Sequence, residues 1–265
     1  REASEEKFIH SMVGNCTYLT EEKALPLESL IYQEYILLNE INTIRINNHH
    51  LDVKTKKDAI EQLFKTNKTV TVRKFQNWLD KYFGENNTYE ITGLSDKNKF
   101  NGSLSSWVDF TKINFDLTNP NEYKIAEDII LWATIFSDKQ TLRNRIKRKY
   151  PFLTEKQLHS VSQLRFKGWG RLSKKLLSEL KFTLPNTQEI TIIERMRVTN
   201  DNFMQIINNK EENFAQQLEE VMIESNEADS VLNQIQEIPG SPAIKKGIHQ
   251  SILLINEIIE IMGQK

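Results

Sequence analysis

Glycine and proline are sparse in this chain, nine and six in 265 residues. Between them run segments whose apolar residues recur at spacings of three and four, the period of a helix that buries one face. Leu27 to Ile46 carries Leu30, Ile31, Ile36, Leu37, Ile41 and Ile44 at that spacing, entered after Pro26. Similar patterns run over Lys56 to Phe64, Arg73 to Phe83, Ser103 to Ile113, Glu122 to Phe136, Lys139 to Tyr150, Thr154 to Leu164, Ser173 to Leu180 and Asn202 to Asn208. Pro120, Pro151 and Pro185 mark breaks between them. Strand signals are limited to a little extended structure in the polar connection Glu85 to Leu94. The expected fold class is therefore all-α, a multi-helix domain with little or no sheet. Its core is expected to draw on Trp78, Trp107 and Trp132, which stand at apolar positions of separate helices.

A composition of 38% apolar and 27% charged residues is ordinary for a soluble globular protein, and the length suits one large domain or two moderate ones. The one cysteine, Cys16, admits no internal disulfide, so a reducing, cytosolic setting is the default. It reads as a small buried hydrophobe, having no cationic or His neighbour to activate it. No window holds the roughly 18 consecutive apolar residues of a membrane span. The opening Arg1-Glu2-Ala3-Ser4-Glu5-Glu6 is the reverse of a signal peptide, so neither export nor membrane insertion is expected. The chain opens without Met and stops at Met262-Gly263-Gln264-Lys265, straight after a strongly apolar stretch, so it is expected to be a piece of something larger.

Enzyme signatures are missing. Five His and one Cys assemble no zinc spacing, and His49-His50 reads as a polar loop pair. No phosphate-binding Gly-rich loop, nucleophile elbow or His-Glu helix pair occurs. A metal-dependent nuclease needs two or three converging carboxylates, usually on strands, and the sequence clusters none. The chain is expected to bind and not to catalyse, with no cofactor of its own.

Charge is unevenly distributed. From Arg143 to Lys181 there are twelve Lys or Arg against Glu155 and Glu179, a local charge of +10 in a chain whose total is −1. Within this block, Arg165-Phe166-Lys167-Gly168-Trp169-Gly170-Arg171 sets an indole between two glycines. Cations that neutralise phosphates, a flat ring for a sugar or base, and glycines that admit another backbone suit a nucleic-acid backbone contact. A solvated helix face with a core Trp is the alternative reading of the same residues. From Asp201 to Gly240 the balance inverts, nine acids against Lys210, which reads as a solvent-facing hairpin kept away from phosphates. After Pro239-Gly240-Ser241-Pro242, a last helix is expected over Ala243 to Met262, apolar on more than one face and in need of a partner.

Five strings carry a resemblance to a known family: Leu63-Phe64-Lys65-Thr66-Asn67, Phe100-Asn101-Gly102-Ser103-Leu104, Gly168-Trp169-Gly170-Arg171-Leu172-Ser173, Asn202-Phe203-Met204-Gln205 and Gly240-Ser241-Pro242-Ala243-Ile244-Lys245-Lys246-Gly247-Ile248. In order and spacing they resemble strings of the type II CRISPR effectors, the RNA-guided DNA endonucleases called Cas-nine, from about Phe8 to Met262. The resemblance implies the third recognition subdomain of the helical lobe over 1–238. Over 239–265 it implies a helix leading to the second RuvC-like segment, with the nuclease core and its Mg2+ elsewhere in the full-length protein. In that family base pairing to a guide reads sequence, while the protein reads backbone and A-form shape.

The roles implied are sequence-blind contacts. Trp169 and Arg171 resemble an indole and a guanidinium on the target-strand backbone, and Gln205 resembles their polar partner. Asn202 and Met204 lie in the loop and helix approaching the duplex, and Tyr32 resembles an aromatic that meets the same strand. By periodicity alone Tyr32 and Met204 would be core residues. Lys65, Asn67, Lys68, Lys99, Lys167 and Lys174, in or beside the matched strings, complete the implied nucleic-acid-binding set. Gly14, Leu27 and Asn208 depart from the family pattern near these contacts. The function implied is to hold the PAM-distal guide RNA–target DNA heteroduplex and signal correct pairing to the nuclease domains, in the bacterial cytoplasm. The competing reading is a helical scaffold whose basic face docks an acidic protein, a phage anti-CRISPR inhibitor included.

Overall fold

Most helices of the chain start where a short polar side chain can accept from the first free amides of the turn. A computed structural model describes residues 2–84 and 89–223, together with Ser251, Leu254 and Ile255. Helix α1 is Glu2–Met12. Ser29 opens α2 (Leu30–Ile41), Asp52 opens α3 (Val53–Ala59), and Thr71 opens α4 (Val72–Phe83), which Gly84 closes in the left-handed conformation. Helix α5 (Ser105–Lys112) has no side-chain cap, whereas α6 (Pro120–Ile135) has Asn119 as cap and Pro in its first turn. Asp138 caps α7 (Lys139–Lys149). Reciprocal capping boxes open α8 (Glu155–Ser162), α9 (Ile192–Val198) and α10 (Phe203–Ile207), from the pairs Thr154/Gln157, Thr191/Glu194 and Asn202/Gln205. Two π-turns, Ile60–Phe64 continuing α3 and Lys175–Glu179, add an extra residue per turn.

The all-α expectation does not hold. The chain is mostly helical but mixed, with three antiparallel strand pairs among the described residues. Strand β1 (Ala24–Pro26) pairs with β4 (Trp169–Ser173), β2 (Arg45–Ile46) with β3 (Ile91–Thr92), and β5 (Phe182–Thr183) with β6 (Glu189–Ile190). Strands of two to five residues are too short to print an alternating pattern, and two of the pairs join segments far apart in sequence. Consequently the helix expected up to Ile46 stops at Ile41, and the one expected from Ser173 is the end of β4 followed by a π-turn. Helices α1 and α9 are additions to the expected set.

Two compact units divide the chain, Arg1–Phe214 and Ala215–Lys265. In the first, the largest apolar cluster surrounds α6, whose Ile125, Ala126, Ile129, Ile130, Trp132 and Ala133 pack with Leu30, Phe110, Leu142, Ile146 and Val161. A second centre is the aromatic triangle of Phe64, Phe75 and Phe100, with centroids 5.1–6.5 Å apart. Of the three tryptophans expected in the core, only Trp132 is buried; Trp78 and Trp107 are half-buried. Trp78 lies on Phe75 and Tyr82, and Trp107 lies under the Lys65 ammonium, 3.9 Å from its ring centroid.

Helix α2 is the element around which the site is built. Leu37, Leu38 and Ile41 are wholly enclosed, and Gly102 lets a neighbouring backbone come so close that a Cβ there would meet the Leu37 Cα at 2.6 Å. In the second unit residues 215–223 are helical, as are Ser251, Leu254 and Ile255. The expected boundary at 238/239, the rest of the expected last helix and residues 224–240 of the acidic stretch lie outside the described residues.

Candidate nucleic-acid interface

The Gly-Trp-Gly motif, which lies between the helices expected over Thr154 to Leu164 and Ser173 to Leu180, is the entry to strand β4. Gly168 has φ +91°, and a Cβ there would come within 2.7 Å of Leu27 Cδ1. Its carbonyl accepts from the Leu27 amide at 3.2 Å, so the glycine does admit a close second backbone. Pro26 then pairs with Trp169 and Ala24 with Ser173, so a step of two residues on β1 matches four on β4. Residues 170–172 form a bulge, a device that re-aims side chains at a strand edge.

At the bulge Leu172 is buried and Arg171 is exposed. The Arg171 carbonyl accepts from Thr17 N at 2.8 Å and its amide donates to the Tyr32 hydroxyl at 3.1 Å. Among the described residues its guanidinium has no partner, and neither does the exposed Lys167 ammonium. Trp169 is half-buried beside them. Tyr32 itself is only 6% exposed. Its ring occupies the place a side chain on Gly170 would need, with a built Cβ only 2.3 Å from Cε2. The structure therefore places Tyr32 beneath β4 as a support for Arg171.

The second group is α10. Asn202 Oδ1 accepts from Gln205 N at 3.0 Å, and Gln205 Oε1 accepts from Asn202 N at 2.8 Å, so both side chains build the helix start. Met204 is 53% exposed, where periodicity alone would bury it, and its sulfur accepts from the Tyr18 hydroxyl. Asn39 of α2 accepts from Phe203 N at 2.9 Å, so α2 reaches both this group and β4.

Lys65, Asn67, Lys68 and Lys99 form a third patch whose side chains serve local contacts. Lys65 pairs with Glu61 at 2.6 Å and Lys68 with Asp109 at 2.5 Å. Asn67 donates to Leu63 O and accepts from Lys74 Nζ. Lys99 is exposed on the bridge to Thr71. Among the described residues none of these contacts reaches β4 or α10.

The +10 count overstates the free charge. Arg143 and Lys147 share Glu155, Lys174 pairs with Glu179 at 2.8 Å, and Lys175 pairs with Glu22 at 2.9 Å. Arg145 is buried, its guanidinium 4.5 Å from the Trp132 ring centroid. Exposed ion pairs of this kind are worth about 0–1 kcal/mol, so Lys174 and its like can be recruited by phosphate at little cost. Near Lys174, Glu127 of α6 accepts from Ser29 Oγ and Ile31 N, both at 3.1 Å, and holds the start of α2. Burial pushes its carboxyl up to about 7, against the pull of those two donors and the Lys174 charge.

Sequence reasoning missed Tyr35 and Asn39 of α2 and Asn42 at its C-terminal cap. The available signal was polar and aromatic residues following Tyr32 at successive steps of three, four and three, which keeps them on one helix face.

Fold and site together describe a mostly helical domain that presents a guanidinium unpaired among the described residues and an indole from a bulged strand. Residues 1–221 match the family model for the REC lobe of CRISPR-associated endonuclease Cas9, and the chain belongs to that family. It is 32% identical, over its whole length, to the CRISPR-associated endonuclease Cas9 of Streptococcus mutans serotype c. It is 30% identical over 97% of its length to that of Listeria innocua serovar 6a, and 24% identical over 95% to that of Staphylococcus aureus. The alignments cover 20%, 20% and 22% of those relatives, so the chain spans about a fifth of their length. The matched model is that of the recognition lobe, so the chain corresponds to a non-catalytic part of proteins named endonucleases.

Proposed function

We propose that this chain holds the backbone of a guide RNA–target DNA heteroduplex in its PAM-distal part, and that it relays correct pairing to the nuclease domains of an RNA-guided CRISPR endonuclease acting in antiviral defence. The observation that carries this reading is the exposed Arg171 guanidinium on the β4 bulge, beside the half-buried Trp169 and the exposed Lys167, both cations without a partner among the described residues. An Arg fork suits a phosphate and an indole edge suits a sugar, and neither needs to read a base. Lys174 joins them once phosphate competes for its weak pair with Glu179. On α10, Gln205 and Met204 are exposed and extend the contact. Cleavage and its Mg2+ belong, in this proposal, to the other domains of the full-length protein.

The test is titration of an RNA–DNA hybrid at several salt concentrations. The affinity should fall linearly on a log–log plot against salt, and Arg171→Ala should weaken binding about equally for every sequence while lowering the slope by about one. Binding that ignores salt, or an Arg171→Ala effect that depends on base identity, would overturn the proposal. Loss of hybrid binding alongside capture of an acidic protein would favour the scaffold reading.

A further inference from the structure

One stripe of α2 and its C-terminal cap carries Tyr32, Tyr35, Asn39 and Asn42, at spacings of three, four and three. Every one of these side chains is engaged with β4, with α10 or with the residues just before α10. We propose that this stripe is a positioning element that locks the β4 bulge and α10 into one rigid edge, so that Arg171 and Gln205 meet a ligand as a fixed pair. The inference rests on the hybrid-binding function proposed above.

At one end the Tyr32 hydroxyl accepts from the Arg171 amide at 3.1 Å, and its ring lies flush against Gly170. The bulge takes residues 170–172 out of one-to-one register with β1, so Tyr32 supplies a hold that regular ladder pairing there does not. At the other end Asn39 Oδ1 accepts from Phe203 N at 2.9 Å, and Asn42 Nδ2 donates to Asp201 O at 2.8 Å. Between them the rings are continuous. Tyr32 and Tyr35 have centroids 5.4 Å apart, and Tyr35 meets Phe203 edge-on at 5.7 Å. Phe203 in turn meets Tyr18 at 5.4 Å. Burial and the neighbouring Tyr32 and Tyr18 push the Tyr35 hydroxyl up to about 12.

A five-residue strand and a five-residue helix have little stability of their own, since neither repays the entropy of fixing its backbone alone. Both borrow their geometry from α2, whose Leu37, Leu38 and Ile41 are wholly buried. Two contacts held at fixed separation act together, because the second is made at high effective concentration once the first is in place. Loosening the stripe therefore removes the cooperation between the contacts before it removes either contact.

Two measurements test this on the full chain. The first needs no nucleic acid: Tyr32→Phe keeps the ring and removes the acceptor, so hydrogen exchange at the Arg171 amide should quicken by about tenfold while the Ala24 amide, bonded to Gly14 O, is unchanged. Unchanged exchange at Arg171 overturns the inference. The second is a cycle of Arg171→Ala and Gln205→Ala read as hybrid affinity. In the parent the two should be coupled by at least about threefold, and in a Tyr35→Leu background the coupling should vanish. Additive effects in the parent, or coupling that persists in Tyr35→Leu, overturn the inference. Should Tyr35→Leu not fold, Asn39→Ala severs the same link at Phe203 N. If both single variants bind hybrid like the parent, the proposed function falls, and the locking is then decided by the exchange measurement.

Discussion

Glu127→Gln should make the protein more stable at pH 8 and leave it nearly unchanged at pH 4.5. Part of the residue is exposed, but its Oε1 is committed to the buried Ser29 hydroxyl and the Ile31 amide at the start of α2. Burial raises the carboxyl from its ordinary 4.5 to about 7, and the hydrogen bonds and Lys174 only partly oppose it. Ionising Glu127 in the folded chain therefore costs about 3 kcal/mol more than in the unfolded chain, at about 1.4 kcal/mol per pH unit. A folded pKa above the unfolded one means that the folded state holds the extra proton between about 4.5 and 7. That contribution is fully present below about pH 4.5 and is lost as pH rises to 7 and beyond. Glutamine keeps an acceptor for Ser29 and Ile31 and never ionises, so the variant escapes the loss. Urea denaturation of both proteins at pH 4.5, 6 and 8 should show a gap that opens with pH to about 2–3 kcal/mol, the lower figure allowing for solvent reaching the carboxyl. All other titrating groups are shared and cancel in the difference. A gap independent of pH, or a parent more stable than the variant at pH 8, would refute the reasoning.

Lys56→Met should cost about 2–4 kcal/mol, because the enclosed ammonium donates to Asn42 Oδ1, Met196 O and Thr199 O, and methionine leaves all three without it. Burial holds this lysine down to about 8, so the parent should gain stability as pH rises from about 8 to 10.5, and the variant should lack that slope in denaturation curves. Gly102→Ala should cost about 2–3 kcal/mol in the same assay, since its Cβ would meet the Leu37 Cα at 2.6 Å and neither backbone can yield freely; a variant as stable as the parent would show that α2 shifts easily. Asn202→Ala should cost about 1 kcal/mol and quicken exchange at the Gln205 amide, which loses its capping acceptor.

What the sequence shows of the fold follows from how local each interaction is. The helices α4 to α8 are legible because an apolar stripe of two or three turns needs only residues a few positions apart, and their ends are legible from Thr71, Asn119, Asp138 and Thr154. The strands are not, because β1 pairs with a segment about 145 residues later and a run such as Ala24–Pro26 has no period to detect. Helix α9 is seven residues long, so Ile192, Ile193 and Met196 give less than two turns of an apolar stripe, and its capping box at Thr191 and Glu194 was the clearer local sign of it.

The same distinction decides how far the site could be read. Charge density along the chain picks out the right region, but whether a given cation is free depends on acids that sequence neighbours do not supply. Lys175 is met by Glu22, about 150 residues earlier, and Arg145 leaves the surface altogether to stack on Trp132. Among the described residues Arg171 stays free because the bulge turns it outward while Tyr32, from a helix about 140 residues away, holds its amide from below. A guanidinium is useful to a phosphate only if it is both unpaired and held still. The first property comes from what is absent around Arg171, and the second from α2. A basic run therefore marks where to look for a backbone contact, while the residues that make it work, Tyr32 and the two glycines flanking Trp169, carry no charge at all.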